Sequence, residues 1–151
     1  MAKPDAFELA VGALGRKERT TAELTAWLGE RGVEADEVAA AIERLVEIGE
    51  LDDERFACRY ADDKRELRGW GAVRIREALI ARGVPAELAE EAAGSESHGA
   101  QLERAAELLS SNGHGAASEP ERARALAFLT RRGYDYEIAY EAVRRHEREA
   151  A

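Results

Sequence analysis

His98, His114 and His146 are the first residues to weigh, because imidazole titrates near neutrality and is the commonest protein ligand for metals. They are scattered over two polar stretches and the C-terminal end, with no spacing that builds a metal site or a nucleophile–base pair. Asp52 and Asp53 are adjacent carboxylates, and adjacent residues on a helix do not face each other. They read either as the start of a helix, where a carboxylate caps free N–H groups, or as part of a metal or acid–base pair that no histidine or further acidic cluster completes. Cys58 is the only cysteine, which excludes an internal disulfide, fits a reducing compartment and reads as a small core residue. No glycine loop ending in Lys-Ser or Lys-Thr is present to cradle phosphates. No catalytic residue, metal site or cofactor is therefore expected, and the chain is expected to act by binding another macromolecule.

The residues suited to binding are basic. Lys64, Arg65, Arg68, Arg74, Arg76 and Arg82 face only Glu66 and Glu77 in the same stretch, a local excess of +4 in a chain of net charge −9. Trp70 stands inside this run between Gly69 and Gly71, either as a plug at a corner or as an exposed anchor for a partner. A second basic set, Arg131 and Arg132 with Arg144, Arg145 and Arg148, is interleaved with Glu137, Glu141, Glu147 and Glu149, so intrahelical pairing competes there with partner binding. The overall acidity does not invite a phosphate backbone unless cations gather on one face.

These side chains need elements to hold them, and the elements repeat. Leu28–Val33 (LGERGV), Leu79–Val84 (LIARGV) and Leu129–Tyr134 (LTRRGY) each place Leu four residues before Gly, and the glycines lie 51 and 50 positions apart. Helical spacing precedes each glycine, in Leu24 with Leu28, Ile75 with Leu79 and Leu126 with Leu129. Each glycine is read as a helix stop and nothing more. An amphipathic helix follows each turn, and a further helix precedes each pair: from Asp5 to Leu14, from Asp52 to Leu67 and from about Gly99 to Leu109. Thr20 with Glu23 has the pattern of a capping box, Asp52 is an expected N-cap, and Pro85 suits a first turn.

The expected fold is all-α, with three tandem three-helix repeats over residues 1–50, 51–94 and 95–151 forming an elongated, slightly curved stack. Residues 94–99 and 110–119 read as loops or hinges. The opening, with Lys3 followed by acidic residues, is unlike a secretory leader, and no run nears the ~18 apolar residues of a membrane span. A cytoplasmic monomer without membrane contact is expected.

Leu51-Asp52-Asp53, Arg55-Phe56-Ala57, Gly69-Trp70-Gly71, Arg74-Ile75, Leu79 and Arg82-Gly83-Val84 together resemble the RecX family. The C-terminal ALAFLTRRGYDYEIAYEAVRR and, in the first group, Glu23-Leu24, Leu28 and Gly32 extend the resemblance over nearly the whole chain. The resemblance implies a negative regulator of the RecA recombinase in DNA repair, homologous recombination and the SOS response. Such a protein lies along the RecA nucleoprotein filament and inhibits its ATPase, strand exchange and coprotease activities. The partner surface is then expected at the Lys64–Arg82 corner, meeting an acidic face of the recombinase or nearby DNA phosphate, with at most a weak direct DNA contact. A helix-turn-helix DNA binder is the main rival and a scaffold for another protein a third reading. The helices after the turns argue against groove reading, since the first carries Asp36, Glu37, Glu43 and Glu47 against Arg44 alone.

Overall fold

A computed structural model describes residues 5–150; Met1–Pro4, including Lys3, and Ala151 lie outside the described residues. The described chain is all-helical: α1 (Ala6–Arg16), α2 (Thr21–Glu30), α3 (Ala35–Glu47), α4 (Asp53–Arg68), α5 (Ala72–Ala81), α6 (Ala86–Ala93), α7 (His98–Ser111), α8 (Glu119–Arg131) and α9 (Tyr136–Ala150).

Local chemistry sets the ends of these helices. Thr20 and Glu23 close a reciprocal capping box on α2, Asp52 accepts the Arg55 N–H at the start of α4, and Asp135 accepts that of Ile138 in α9. Pro85 stands at the N-cap of α6, one residue before the helix, where no N–H is needed. The Leu-to-Gly spacing has a geometric cause. In each of the three turns the N–H three residues beyond the end of the helix reaches back to the leucine carbonyl: Val33 to Leu28, Val84 to Leu79 and Tyr134 to Leu129, at 3.2, 3.0 and 3.1 Å. This back-bonded turn requires the residue before that N–H to be left-handed, and Gly32, Gly83 and Gly133 have φ of 78°, 89° and 97°.

Packing is organised in threes. α1 and α2 close on α3, α4 and α5 on α6, and α7 and α8 on α9. Each set encloses its own core, with Leu24, Leu28 and Leu45 in the first, Ile75, Leu79 and Phe56 in the second, and Leu109, Leu129 and Ile138 in the third. Each fully buried leucine contributes about 2 kcal/mol. Leu51, which the sequence boundary placed with the second group, is 2 % exposed and packs in the first core. Cys58 is exposed and not a core residue: Phe56, Ala57 and Ala61 define the inward face of α4, and Cys58 falls outside it.

Consecutive groups meet through turns resting on helix starts. The Arg82–Gly83 turn of the second group lies on the start of α2, where Thr20 Oγ1 donates to Arg82 O at 2.8 Å and Arg82 grips Glu23 at 3.0 and 2.9 Å. The Arg132–Gly133 turn of the third group lies on the start of α5: the Gly71 and Val73 N–H groups donate to Arg132 O and Gly133 O at 2.8 and 2.9 Å. The reading of these glycines as helix stops alone is corrected here. A Cβ on Gly83 would overlap Ala22, and one on Gly133 would overlap Arg74, so both positions also allow neighbouring groups to approach. Among the described residues no hydrogen bond or ion pair joins the first group to the third, which fits an elongated order of groups.

The linker between α6 and α7 carries a specific tie rather than only small residues. Glu96 accepts from Arg104 and lies 3.3 Å from Arg65 Nε, joining α4, the linker and α7 in one charged cluster. Burial raises the Glu96 carboxyl less than these cations lower it: the Arg104 hydrogen bonds, the largest influence, hold it below its ordinary value.

Candidate functional site

The corner where α4 turns into α5 collects cations from two groups of helices. Its frame is the Gly69-Trp70-Gly71 turn, in which Gly69 has φ 64° and the Trp70 N–H reaches back to Lys64 O. Gly71 has to be small because a Cβ there would lie 2.6 Å from the Gly133 carbonyl. Tyr134, buried and pushed above its ordinary pKa by desolvation, donates its hydroxyl to Gly69 O at 3.0 Å and pins the turn from below.

Trp70 is half-buried, packed on the second core with one edge toward Tyr60. It is both plug and platform, since its open face holds cations. The Arg74 guanidinium lies 4.2 Å from the ring centroid and Lys64 Nζ 4.9 Å. Arg74 also donates to Arg131 O at 3.3 Å, and Arg132 donates to Arg68 O at 2.8 Å. Arg68, Arg74, Arg131 and Arg132 are thus brought to one junction between the second and third groups. The Arg68 and Arg131 side chains are exposed and have no ion pair among the described residues. Leu67, 79 % exposed, stands beside Arg68 and adds an apolar contact that sequence reasoning missed. It lies seven residues after half-buried Tyr60, so spacing alone puts it on the inner stripe, but it stands in the last turn of α4 and is uncovered.

Three of the basic residues expected here are committed elsewhere. Arg65 is a correction: it is 7 % exposed, and its guanidinium donates to Ala92 O at 2.7 Å and Ala93 O at 3.0 Å while facing Glu96. It closes the end of α6, whose last carbonyls lack helical partners, and is not available to a partner. Arg82 is engaged with Glu23 in the joint between the first two groups. Arg76 faces Glu90 on α6 at 3.7 Å.

The second basic set divides. Arg131 and Arg132 belong to the corner, whereas Arg144 and Arg145 lie along α9. Arg144 donates to Tyr140 Oη, and Tyr140 stacks on exposed Tyr136 with ring centroids 5.9 Å apart. Arg145 pairs with Glu149 one turn on. A further cluster escaped the sequence reading altogether: Arg16, Arg19 and Arg31 all lie over the ring of Trp27, with Arg31 closest at 3.6 Å. The i, i+4 spacing of Trp27 and Arg31 was the available signal.

Among the described residues no group of three His, Cys, Asp or Glu is arranged to hold a metal ion, and no helix is long and apolar enough to cross a membrane. The corner thus presents a half-buried indole, Lys64 and Arg74 against its ring, and exposed Leu67 and Arg68 nearby.

Comparison with known proteins agrees with this architecture. Residues 6–45 match the first three-helix domain of RecX and residues 52–92 the second. The regulatory protein RecX of Thermus thermophilus is 36 % identical over 140 residues, covering 93 % of this chain and 91 % of that protein. The same-named protein of Chromohalobacter salexigens is 36 % identical over 131 residues, covering 85 % and 84 %. The crystal structure of RecX from Lactobacillus salivarius superposes with a TM-score of 0.84 over 93 % of each chain at 19 % identity, which supports the fold. With both domains in order and identity sustained across the chain, it belongs to the RecX family of regulatory proteins.

Proposed function

We propose that this chain is a non-enzymatic negative regulator of the RecA recombinase, acting in the cytoplasm on the RecA–DNA filament. The observation that carries the site is the meeting of Arg68, Arg74, Arg131 and Arg132 at the junction beside half-buried Trp70, whose ring holds Arg74 and Lys64, in a chain of net charge −9. Cations drawn from two groups of helices imply a partner surface wide enough to touch both, and successive subunits of a filament present such a surface. Binding that favours an inactive filament arrangement lowers ATP turnover, strand exchange and coprotease activity together.

Direct reading of duplex DNA finds little support in the fold. The helices that follow the three turns, α3, α6 and α9, begin with Asp36 and Glu37, with Glu87, and with Glu137, so a phosphate backbone would meet like charge there.

The test is a DNA-dependent RecA ATPase assay at several salt concentrations with the wild-type chain and the R68E/R74E variant. Wild type is expected to inhibit and the variant to need at least ~10-fold more protein, about 1.4 kcal/mol of binding, with unchanged circular dichroism. Equal inhibition by the two moves the contact away from the corner. Absence of inhibition by wild type overturns the RecA assignment, and tight binding to naked DNA with a steep salt dependence favours the DNA-binding reading instead.

A further inference from the structure

Both joints inside the chain rest a glycine turn on a helix start, by backbone N–H groups in the second and by side chains in the first, and each end of the molecule carries an unused half of the first. The first joint has three parts: an N-cap hydroxyl donating to the turn carbonyl, a glutamate three residues later gripping the turn arginine, and a small residue between them against the turn glycine. Thr20, Glu23 and Ala22 supply these parts to Arg82 and Gly83.

The same turn occurs at Arg31-Gly32-Val33, with the same back-bonding to Gly29 and Leu28 at 3.0 and 3.2 Å. There it is uncovered: Gly32 has φ 78°, yet a Cβ on it would meet nothing within 4 Å. The same receptor occurs at the start of α8, where Ser118, Pro120 and Glu121 hold the positions of Thr20, Ala22 and Glu23. Ser118 Oγ accepts the Glu121 N–H at 3.3 Å, as Thr20 Oγ1 accepts that of Glu23 at 3.1 Å, and its own hydroxyl proton is left to donate. Pro120 has no N–H, but the first joint takes none from Ala22 either. The two halves are also opposite in charge: Arg31 lies with Arg16 and Arg19 over Trp27, while Glu121 accepts the Ala117 N–H at 3.1 Å and has no ion pair among the described residues, its neighbour Glu119 being the one paired with Arg122.

We infer that two copies of this chain associate head to tail, the Arg31–Gly32 turn of one copy seating on the Ser118–Glu121 helix start of the next as Arg82–Gly83 seats on Thr20–Glu23. Arg31 leaves the Trp27 ring to reach Glu121, and Ser118 Oγ donates to Arg31 O. The contact is heterologous and does not close on itself, so it extends into a row of copies. It is weak in free solution. The internal joints operate at the effective concentration of a tethered pair, on the order of millimolar, and separate copies have to supply that concentration themselves. The inference does not depend on the identity of the regulated partner.

Sedimentation equilibrium of the full chain from about 10 µM to about 1 mM tests it, that upper limit being the tethered-pair concentration. The weight-average mass is expected to climb from the 16.5 kDa of a single chain by half or more at the top of the range, and to fall back in high salt. Arg31→Glu and Glu121→Arg should each abolish the rise, and the double reversal should restore it, since the swapped charges again face each other across the contact. R31E lies on an exposed turn and keeps the test valid even where E121R loosens the cap of α8. A mass that stays at the single-chain value throughout overturns the inference. So does association that survives both single reversals, or loss that the double reversal does not repair.

Discussion

Arg65 sits inside a run of cations but serves the interior. Its guanidinium occupies the end of α6 by hydrogen bonds to two carbonyls and faces Glu96, so removing it strands two buried acceptors and leaves Glu96 to Arg104 alone. Arg65→Met is expected to destabilise the protein by roughly 3 kcal/mol in urea unfolding, because a buried pair is costly to break from one side. Filament binding by the folded fraction should be little changed. The reverse holds for Arg68→Glu and Arg74→Glu, which leave the unfolding midpoint nearly in place and weaken binding. In the sequence these three arginines look alike. Type and local density showed where cations are concentrated, but not which of them points inward, because that depends on α6, whose carbonyls meet Arg65 from 27 and 28 residues away.

At the scale of helices and turns, much more was legible. Leu four residues before Gly marked three turns because the leucine carbonyl is the acceptor the turn needs and glycine alone takes its left-handed φ without strain. Thr20 with Glu23 and the Asp52 cap were visible for the same reason, being short-range chemistry. The second role of the turns was hidden, since Gly83 and Gly133 touch residues some sixty positions earlier in the chain. Paired substitutions separate the two roles. Gly32→Ala carries only the left-handed penalty, about 1 kcal/mol. Gly133→Ala adds overlap with Arg74 and loosens the Gly71 and Val73 hydrogen bonds, so its melting temperature is expected to fall at least about twice as far as that of Gly32→Ala, a comparison thermal circular dichroism can make.

For the molecule as a whole, a carboxylate paired with arginine takes part in each connection between groups, whereas the interiors of the groups are apolar. Burial pushes the Glu23 carboxyl up, but the Arg82 hydrogen bonds and the Thr20 N–H outweigh it and hold it below its ordinary value. Glu96 is lowered by Arg104 and Arg65 in the linker to the third group. A carboxylate whose pKa is lower folded than unfolded stabilises fully above its unfolded value, 4.5, and loses that contribution as pH falls through its folded value. Acidification below 4.5 is therefore expected to loosen the connections before the cores. Small-angle scattering should report a growing radius of gyration while far-ultraviolet circular dichroism stays helical; loss of both signals together would contradict this order. Two glutamines, at Glu23 and Glu96, should remove most of that acid sensitivity.

The reliance of each joint on one turn and one helix start also bears on how such a chain can change its length over evolutionary time. A copy of the second group, inserted in frame before the third, brings with it a helix start that already fits the Arg132–Gly133 turn, and only its own Arg82–Gly83 turn has to be refitted, from Thr20–Glu23 to Gly71–Arg74. Nothing in the existing cores has to be redesigned to receive it, because among the described residues the first and third groups share no hydrogen bond or ion pair. Gain or loss of a whole unit thus leaves every core closed, whereas gain or loss of one helix leaves a core open.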